Sequence, residues 1–117
     1  MIVRPSLKLA KDAEIRALEK ITTSLADIPQ IEKIVFFGSR ARGDFRGSAD
    51  LDVLLILSDI RIKNRAIGIL HDIELEYDVP ISPVIFTKRE YEINEKMKSK
   101  FIANVGKEGI ILYDPNR

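Results

Sequence analysis

Gly38-Ser39-Arg40-Ala41-Arg42-Gly43 and, soon after it, Asp50-Leu51-Asp52 bring together residue types that divide one chemistry between them. A tight glycine turn opening a short helix presents backbone N–H groups to an anion. Two carboxylates on one face of a strand hold a hard divalent cation. Joined, they describe a site for a metal-bound nucleoside triphosphate.

The elements that must position these residues are legible around them. Ile31-Glu32-Lys33-Ile34-Val35-Phe36-Phe37 is an apolar, β-branched and aromatic run of strand length that Gly38 stops abruptly. Ser39 is a good N-cap for a helical turn through Arg42, and Gly43 is a good C′ residue. After the loop from Asp44 to Ala49, the run from Val53 to Leu57 is continuously apolar and suits a strand buried on both faces. Asp50 and Asp52 sit at its mouth. Side chains alternate along a strand, so both acids project to one side, about 6.5 Å apart, while Leu51 turns into the core. Two like charges so close invite a raised pKa or a bound cation. Next to phosphate-cradling amides the cation is the better explanation, and Mg2+ suits it because it takes oxygen ligands and keeps positions open for substrate phosphates.

Either half alone is commonplace. Gly-Ser turns abound, and an Asp-x-Asp pair often lies in a solvated loop or caps a helix. Both halves here fall at strand ends, and ligands of α/β folds collect at such crevices.

Gly38-Ser39, ten intervening residues and then Asp50-Leu51-Asp52 resemble the signature of the DNA polymerase beta-type nucleotidyltransferase superfamily, and the short chain is similar to its minimal nucleotidyltransferases. The resemblance implies a metal-dependent enzyme, with Mg2+ as cofactor, that transfers a nucleoside monophosphate from a triphosphate, ATP in the first instance, to a hydroxyl. It also implies a protein partner, because such minimal proteins are often antitoxins that silence an all-helical HEPN-domain toxin, in some cases by adenylylating a tyrosine. Carried over residue by residue, it assigns Gly38 and Ser39 to the triphosphate and Asp50 and Asp52 to the metal and the catalysis. Arg40 and Arg42 match basic positions of the same motif. Residues two apart on a helical turn do not share a face, so at most one of them reaches the phosphates well, and the other is expected in an ion pair with Asp44 or Glu32.

Two departures stand out. Ala49 replaces the Ser usual before the first Asp, losing a hydroxyl but no charge. More seriously, active members carry a third carboxylate on a neighbouring strand. The segment Val79-Pro80-Ile81-Ser82-Pro83-Val84-Ile85-Phe86 is the candidate strand, and Ser82 falls in the acid's place. A neutral hydroxyl neither takes a proton from the incoming nucleophile at pH 7 nor adds charge to a second metal. Asp78 shares the parity of Ser82 but lies four residues, roughly 13 Å, away. Pro80 and Pro83 point to an edge strand or a bulge. A relocated acid and a weakened enzyme both stay open.

At 117 residues the chain is expected to form one domain, 1–117, too small for the separate acceptor-binding domain of larger nucleotidyltransferases, so the acceptor arrives as another protein. With 19 basic and 18 acidic residues the formal charge is +1, which lacks the basic excess that drives nucleic-acid affinity and disfavours polynucleotide substrates. The absence of cysteine excludes disulfides and thiolate metal sites. Met1 to Ser6 has no apolar core of a signal peptide and no run reaches transmembrane length, so a cytoplasmic protein without membrane contact is expected. A homo-oligomer stays open.

The rest is scaffold. Residues 7–27 set Ile15, Leu18 and Leu25 on one helical face, ending near Pro29. Ser58 or Asp59 caps a second helix with Ile62, Ala66, Ile69, Leu70, Ile73 and Tyr77 at helical spacing and His71 on its outer face. A third helix, 88–105, aligns Ile93, Met97, Phe101 and Val105, and Ile110 to Tyr113 reads as a short last strand. The expected fold is therefore a two-layer α/β domain of polymerase-beta-like nucleotidyltransferase type: a mixed sheet of about four strands covered by helices, the signature pair antiparallel. The rival reading is a weakened or inactive antitoxin that retains the fold and acts by binding a HEPN toxin. Transfer to a small molecule ranks lower for want of an enclosed acceptor pocket. A P-loop NTPase is excluded, since Gly-x-x-x-x-Gly-Lys followed by Ser or Thr does not occur.

Overall fold

The first helix, α1 (Asp12–Ala26), forms because Ala17, Leu18, Ile21 and Leu25 recur on one face and bury completely. It stops where Ile28 precedes Pro29, a residue that pushes its predecessor out of helical geometry. This is a computed structural model, and it describes residues 12–43 and 50–116. Residues 7–11 of the expected helix and the loop holding Asp44 and Ala49 lie outside the described residues.

Strand β1 (Ile31–Phe37) pairs antiparallel with β2 (Leu51–Leu57). A 3₁₀ turn at Ile60–Ile62, capped by the Asp59 carboxylate accepting from the Arg61 N–H at 2.9 Å, leads into α3 (Lys63–Tyr77), with the short α2 (Gly38–Arg42) lying earlier, between β1 and β2. Helix α3 is the crossover that brings β3 (Ile81–Thr87) alongside β2 in parallel, as a parallel pair requires. The last strand, β4 (Ile110–Tyr113), adds to β1 antiparallel, giving a mixed four-stranded sheet in the order β3-β2-β1-β4. β3 is an edge strand, the place where Pro83 is tolerated.

Alternation along the central strands divides the core. Ile34 and Phe36 of β1 and Leu51, Val53, Leu55 and Leu57 of β2 join the buried faces of α1 and α3 in the main cluster. Val35, Leu54 and Ile56 look the other way, onto Phe101 and Val105. β2 is thus buried on both sides, as its unbroken apolar run requires. His71 is exposed on α3. Among the described residues no helix is long and apolar enough to cross a membrane.

The single helix expected over 88–105 is two helices, α4 (Lys88–Lys96) and α5 (Lys100–Glu108). Thr87 and Glu90 form a capping box at the start of α4. Lys98 then takes a left-handed φ of 54°, and Ser99 caps α5 by accepting from the Ile102 N–H at 3.4 Å. The break reorients the chain: Phe101 and Val105 pack on the sheet, whereas Ile93 and Met97 stay 46% and 75% exposed. A continuous helix would have kept all four on one stripe.

Candidate active site

β1 delivers the chain to the site and Gly38 turns it. At φ +83° Gly38 opens α2, a five-residue helix whose N-cap position, Phe37, makes no side-chain cap hydrogen bond. Ser39, expected as the N-cap, lies inside the first turn instead, because the helix begins one residue earlier on the glycine. The N–H groups of a first turn have no partner within their own helix and point outward along its axis. Gly43 ends α2 in the left-handed conformation, φ +79°, its N–H donating to the Arg40 carbonyl at 3.2 Å.

The register Phe37↔Asp52 sets the second acid beside that turn. The approach is so close that a Cβ built on Gly38 would lie 2.1 Å from Asp52 Oδ2. Only a residue without a side chain lets the carboxylate sit against the turn. Asp52 is on the face of β2 shared by Leu54 and Ile56, with Asp50 just before the strand. Burial pushes the Asp52 carboxyl above its ordinary range, the charge of Asp50 pushes it the same way, and Arg42 pulls it back. Asp50, Asp52 and Arg42 therefore share one electrostatic neighbourhood.

The two arginines part company. Arg40 turns inward, 9% exposed, and grips Glu14 of α1 with both ends of its fork: Nε donates to Oε2 at 2.9 Å and a terminal nitrogen to Oε1. The expected partner of whichever arginine did not serve the phosphates was Asp44 or Glu32; the structure pairs Arg40 with Glu14, 26 residues away. Arg42 faces the cleft and donates to Glu108 Oε2 of α5 at 3.0 Å. Glu14 and Glu108 are the residues that sequence reasoning missed. Glu14 carried a signal, an acid on the same helical stripe as Ala17, Leu18, Ile21 and Leu25. Glu108 carried none, since its partner lies 66 residues earlier.

Ser82 stands directly across from Asp52 in the parallel register of β2 and β3, and Val84 and Phe86 of the same parity join the cluster on that face. Asp78 is not on β3: it is exposed in the left-handed cap that ends α3. Among the described residues no group of three or more His, Cys, Asp or Glu is placed to hold a metal. The donor set is two carboxylates, which fits Mg2+, a cation commonly bound through one or two carboxylates with water and substrate phosphates completing its octahedron.

Beside the acids a cleft of about 200 Å³ opens between α2 and α5, lined by Phe37, Gly38, Arg42, Phe101, Asn104 and Glu108. The Phe37 and Phe101 rings meet edge to face, centroids 5.4 Å apart. A hollow of similar size, about 220 Å³, is lined by Lys33, Ile56 and Tyr91, farther along β2 from the acids.

Gly38→Ala is expected to cost about 1 kcal/mol of stability for the left-handed backbone, read by thermal denaturation. Displacing the Asp52 carboxylate by an ångström or more is expected to lower any transfer rate by about ten- to a hundredfold.

The sequence profile described as polymerase beta nucleotidyltransferase matches residues 19–117. Two proteins of Methanocaldococcus jannaschii, both named as candidate protein adenylyltransferases, are similar to this chain. One is 33% identical over 93 residues, 77% of this chain and 85% of the relative. The other is 34% identical over 84 residues, 72% and 80% respectively. Among solved structures, a chain of a toxin–antitoxin complex with AMP-PNP superposes with a TM-score of 0.58 at 22% identity, covering 83% of this chain and 73% of that one. A chain of the complex of tri-AMPylated Shewanella oneidensis HEPN toxin with MNT antitoxin gives 0.54 at 20% identity, covering 86% and 72%. A candidate nucleotidyltransferase from Sulfolobus solfataricus gives 0.51 at 20% identity, covering 100% and 95%. At these identities the solved structures speak for the fold.

Proposed function

The chain belongs to the polymerase beta nucleotidyltransferase family, and from that premise we propose that it transfers AMP from ATP to a hydroxyl on a partner protein, a HEPN-domain toxin that it thereby silences as the antitoxin. One observation carries the reading: the Asp52 carboxylate lies against Gly38, so that acid and the turn proposed to receive the phosphates share one wall. The names of the two Methanocaldococcus relatives support protein adenylylation, and the fold shared with toxin–antitoxin complexes supports the partner.

In this proposal Asp50 and Asp52 hold Mg2+, while Gly38, Ser39 and the first-turn amides of α2 receive the β and γ phosphates. Arg42 adds charge to the polyphosphate from the cleft. Arg40, engaged with Glu14, fixes α2 against α1 and serves the triphosphate only indirectly. The bound metal would supply Lewis acidity at the phosphates and lower the pKa of a nearby hydroxyl. The acceptor oxygen bonds to the α-phosphorus as the bond to pyrophosphate breaks, and the acceptor's proton passes to solvent, since Ser82 offers no carboxylate to take it. A reaction using ATP and a toxin is one of the cytoplasm.

Ser82 beside Asp52 favours a second reading, a catalytically weak antitoxin that acts by binding. One experiment separates the two. The purified chain is incubated with α-labelled ATP, Mg2+ and a HEPN-domain toxin, and label on that protein with release of pyrophosphate is expected. No label from any of the four triphosphates, with toxin neutralisation surviving Asp50→Asn combined with Asp52→Asn, establishes binding alone.

A further inference from the structure

We propose that the outer ridge of α3 is the two-fold interface of a homodimer, in which a second copy of the chain lays its own α3 antiparallel across it. Helix α3 buries Ala66, Leu70 and Ile73, spaced as one helical face, in the main core cluster. The opposite face carries Asn64, Ile67, Gly68, His71 and Leu75, all exposed. An outer face is ordinarily polar. Here Ile67 is 38% and Leu75 69% exposed, and Ile60, just ahead of the helix, is 50% exposed. A Cβ built on Gly68, in the middle of the ridge, would meet nothing within 4 Å, so another helix has room to approach closely there. The ridge lies across the sheet from the candidate active site: α3 packs with Val53 and Leu55, whereas Asp52 shares the face of Leu54 and Ile56. A dimer formed through it leaves both sites open, and the inference stands apart from the function proposed above.

The charges beside the ridge choose the occupant. Lys63 and Arg65 stand in the first turn of α3 and Glu74 and Glu76 in the last, with no acid in the first turn and no base in the last. This order is the reverse of what the helix dipole favours, so it costs the helix in a lone chain. At 3.6 residues per turn, Arg65, Asp72 and Glu76 fall on one flank of the ridge and Lys63 and Glu74 on the other. In an antiparallel pair related by a two-fold axis, each flank meets the same flank of its partner. With the axis passing between Gly68 and His71, Arg65 of one copy comes level with the point midway between Asp72 and Glu76 of the other, and Lys63 comes within about 3 Å along the axis of Glu74. Both flanks then join unlike charges. A partner of uniformly acidic or uniformly basic surface would meet repulsion along half of the ridge, whereas a second copy meets none.

The test is sedimentation equilibrium of the full chain from about 1 µM to about 1 mM, with thermal melts to verify that each variant folds. One helix against another makes an interface below the standard size, so a dimer dissociating at about 10–100 µM is expected. Ile67→Glu is expected to weaken it by at least about tenfold, because it sets a charge in the apolar ridge. Arg65→Glu and Glu76→Arg are each expected to weaken it by about fivefold, since like charges then meet twice across the two-fold. The chain carrying both substitutions is expected to regain most of the wild-type affinity, which only an antiparallel pairing of α3 with itself predicts. A monomer at every concentration, a dimer that Ile67→Glu leaves intact, or a double variant weaker than either single one overturns the proposal. A monomer whose Ile67→Glu variant loses binding to a HEPN-domain toxin overturns it too, and gives the ridge to that partner.

Discussion

Asp52→Asn is expected to cut nucleotidyl transfer by about a thousandfold or more, since in the proposed mechanism it removes one of the two charges that would hold the cation at the phosphates. The same substitution is expected to make the metal-free protein more stable at neutral pH. Burial and the charge of Asp50 hold the Asp52 carboxyl above its ordinary value, so the folded protein binds that proton more tightly than the unfolded chain does. For an acid shifted upward, ionisation costs stability above the folded-state pKa, and the cost disappears as pH falls below the unfolded value near 3.8. Melting in EDTA should show Asn above Asp at pH 7 and the gap closing toward pH 3.5. Adding Mg2+ should raise the melting temperature of the wild type and leave the variant unmoved. A variant that melts lower than wild type in EDTA at pH 7 would mean that Asp52 is held by favourable contacts and carries no unmet charge.

Glu14→Ala is expected to be strongly destabilising. Arg40 would be left charged, buried and deprived of its bidentate partner, a situation that costs about 3–5 kcal/mol. For a domain of this size that corresponds to a fall in melting temperature of more than about 10 °C. Replacing both members, Glu14→Met with Arg40→Met, should recover most of the loss, because well-packed apolar side chains match a buried ion pair in stability. If α2 needs the tie to α1, the double variant will fold yet transfer poorly, with the Michaelis constant for ATP raised.

What could be read from residue order was whatever repeats locally. β1 announced itself through its apolar, β-branched and aromatic residues and β2 through the continuous apolar run from Val53 to Leu57, while alternation gave the expectation of a common face for Asp50 and Asp52. The two prolines around Ser82 marked β3 as an edge. The same reliance on period misled at 88–105. Ile93, Met97, Phe101 and Val105 keep an i, i+4 rhythm straight through a break, and the informative residue was Ser99, an N-cap waiting before Phe101-Ile102. Periodicity measures spacing, not which side faces protein, and Met97 faces water. For the arginines, helical geometry predicted divergence but not destinations, since Glu14 and Glu108 are 26 and 66 residues away. Such pairings are decided when α1 and α5 dock, a tertiary event with no local trace.

Pro83, in the middle of β3, has an aggregation consequence. It has no amide hydrogen to offer, so a passing chain cannot zip along that rim. The opposite rim, β4, is only four residues long. In a crowded cell, a small protein whose sheet ends in one interrupted border and one truncated border resists recruitment into ribbons of its own kind.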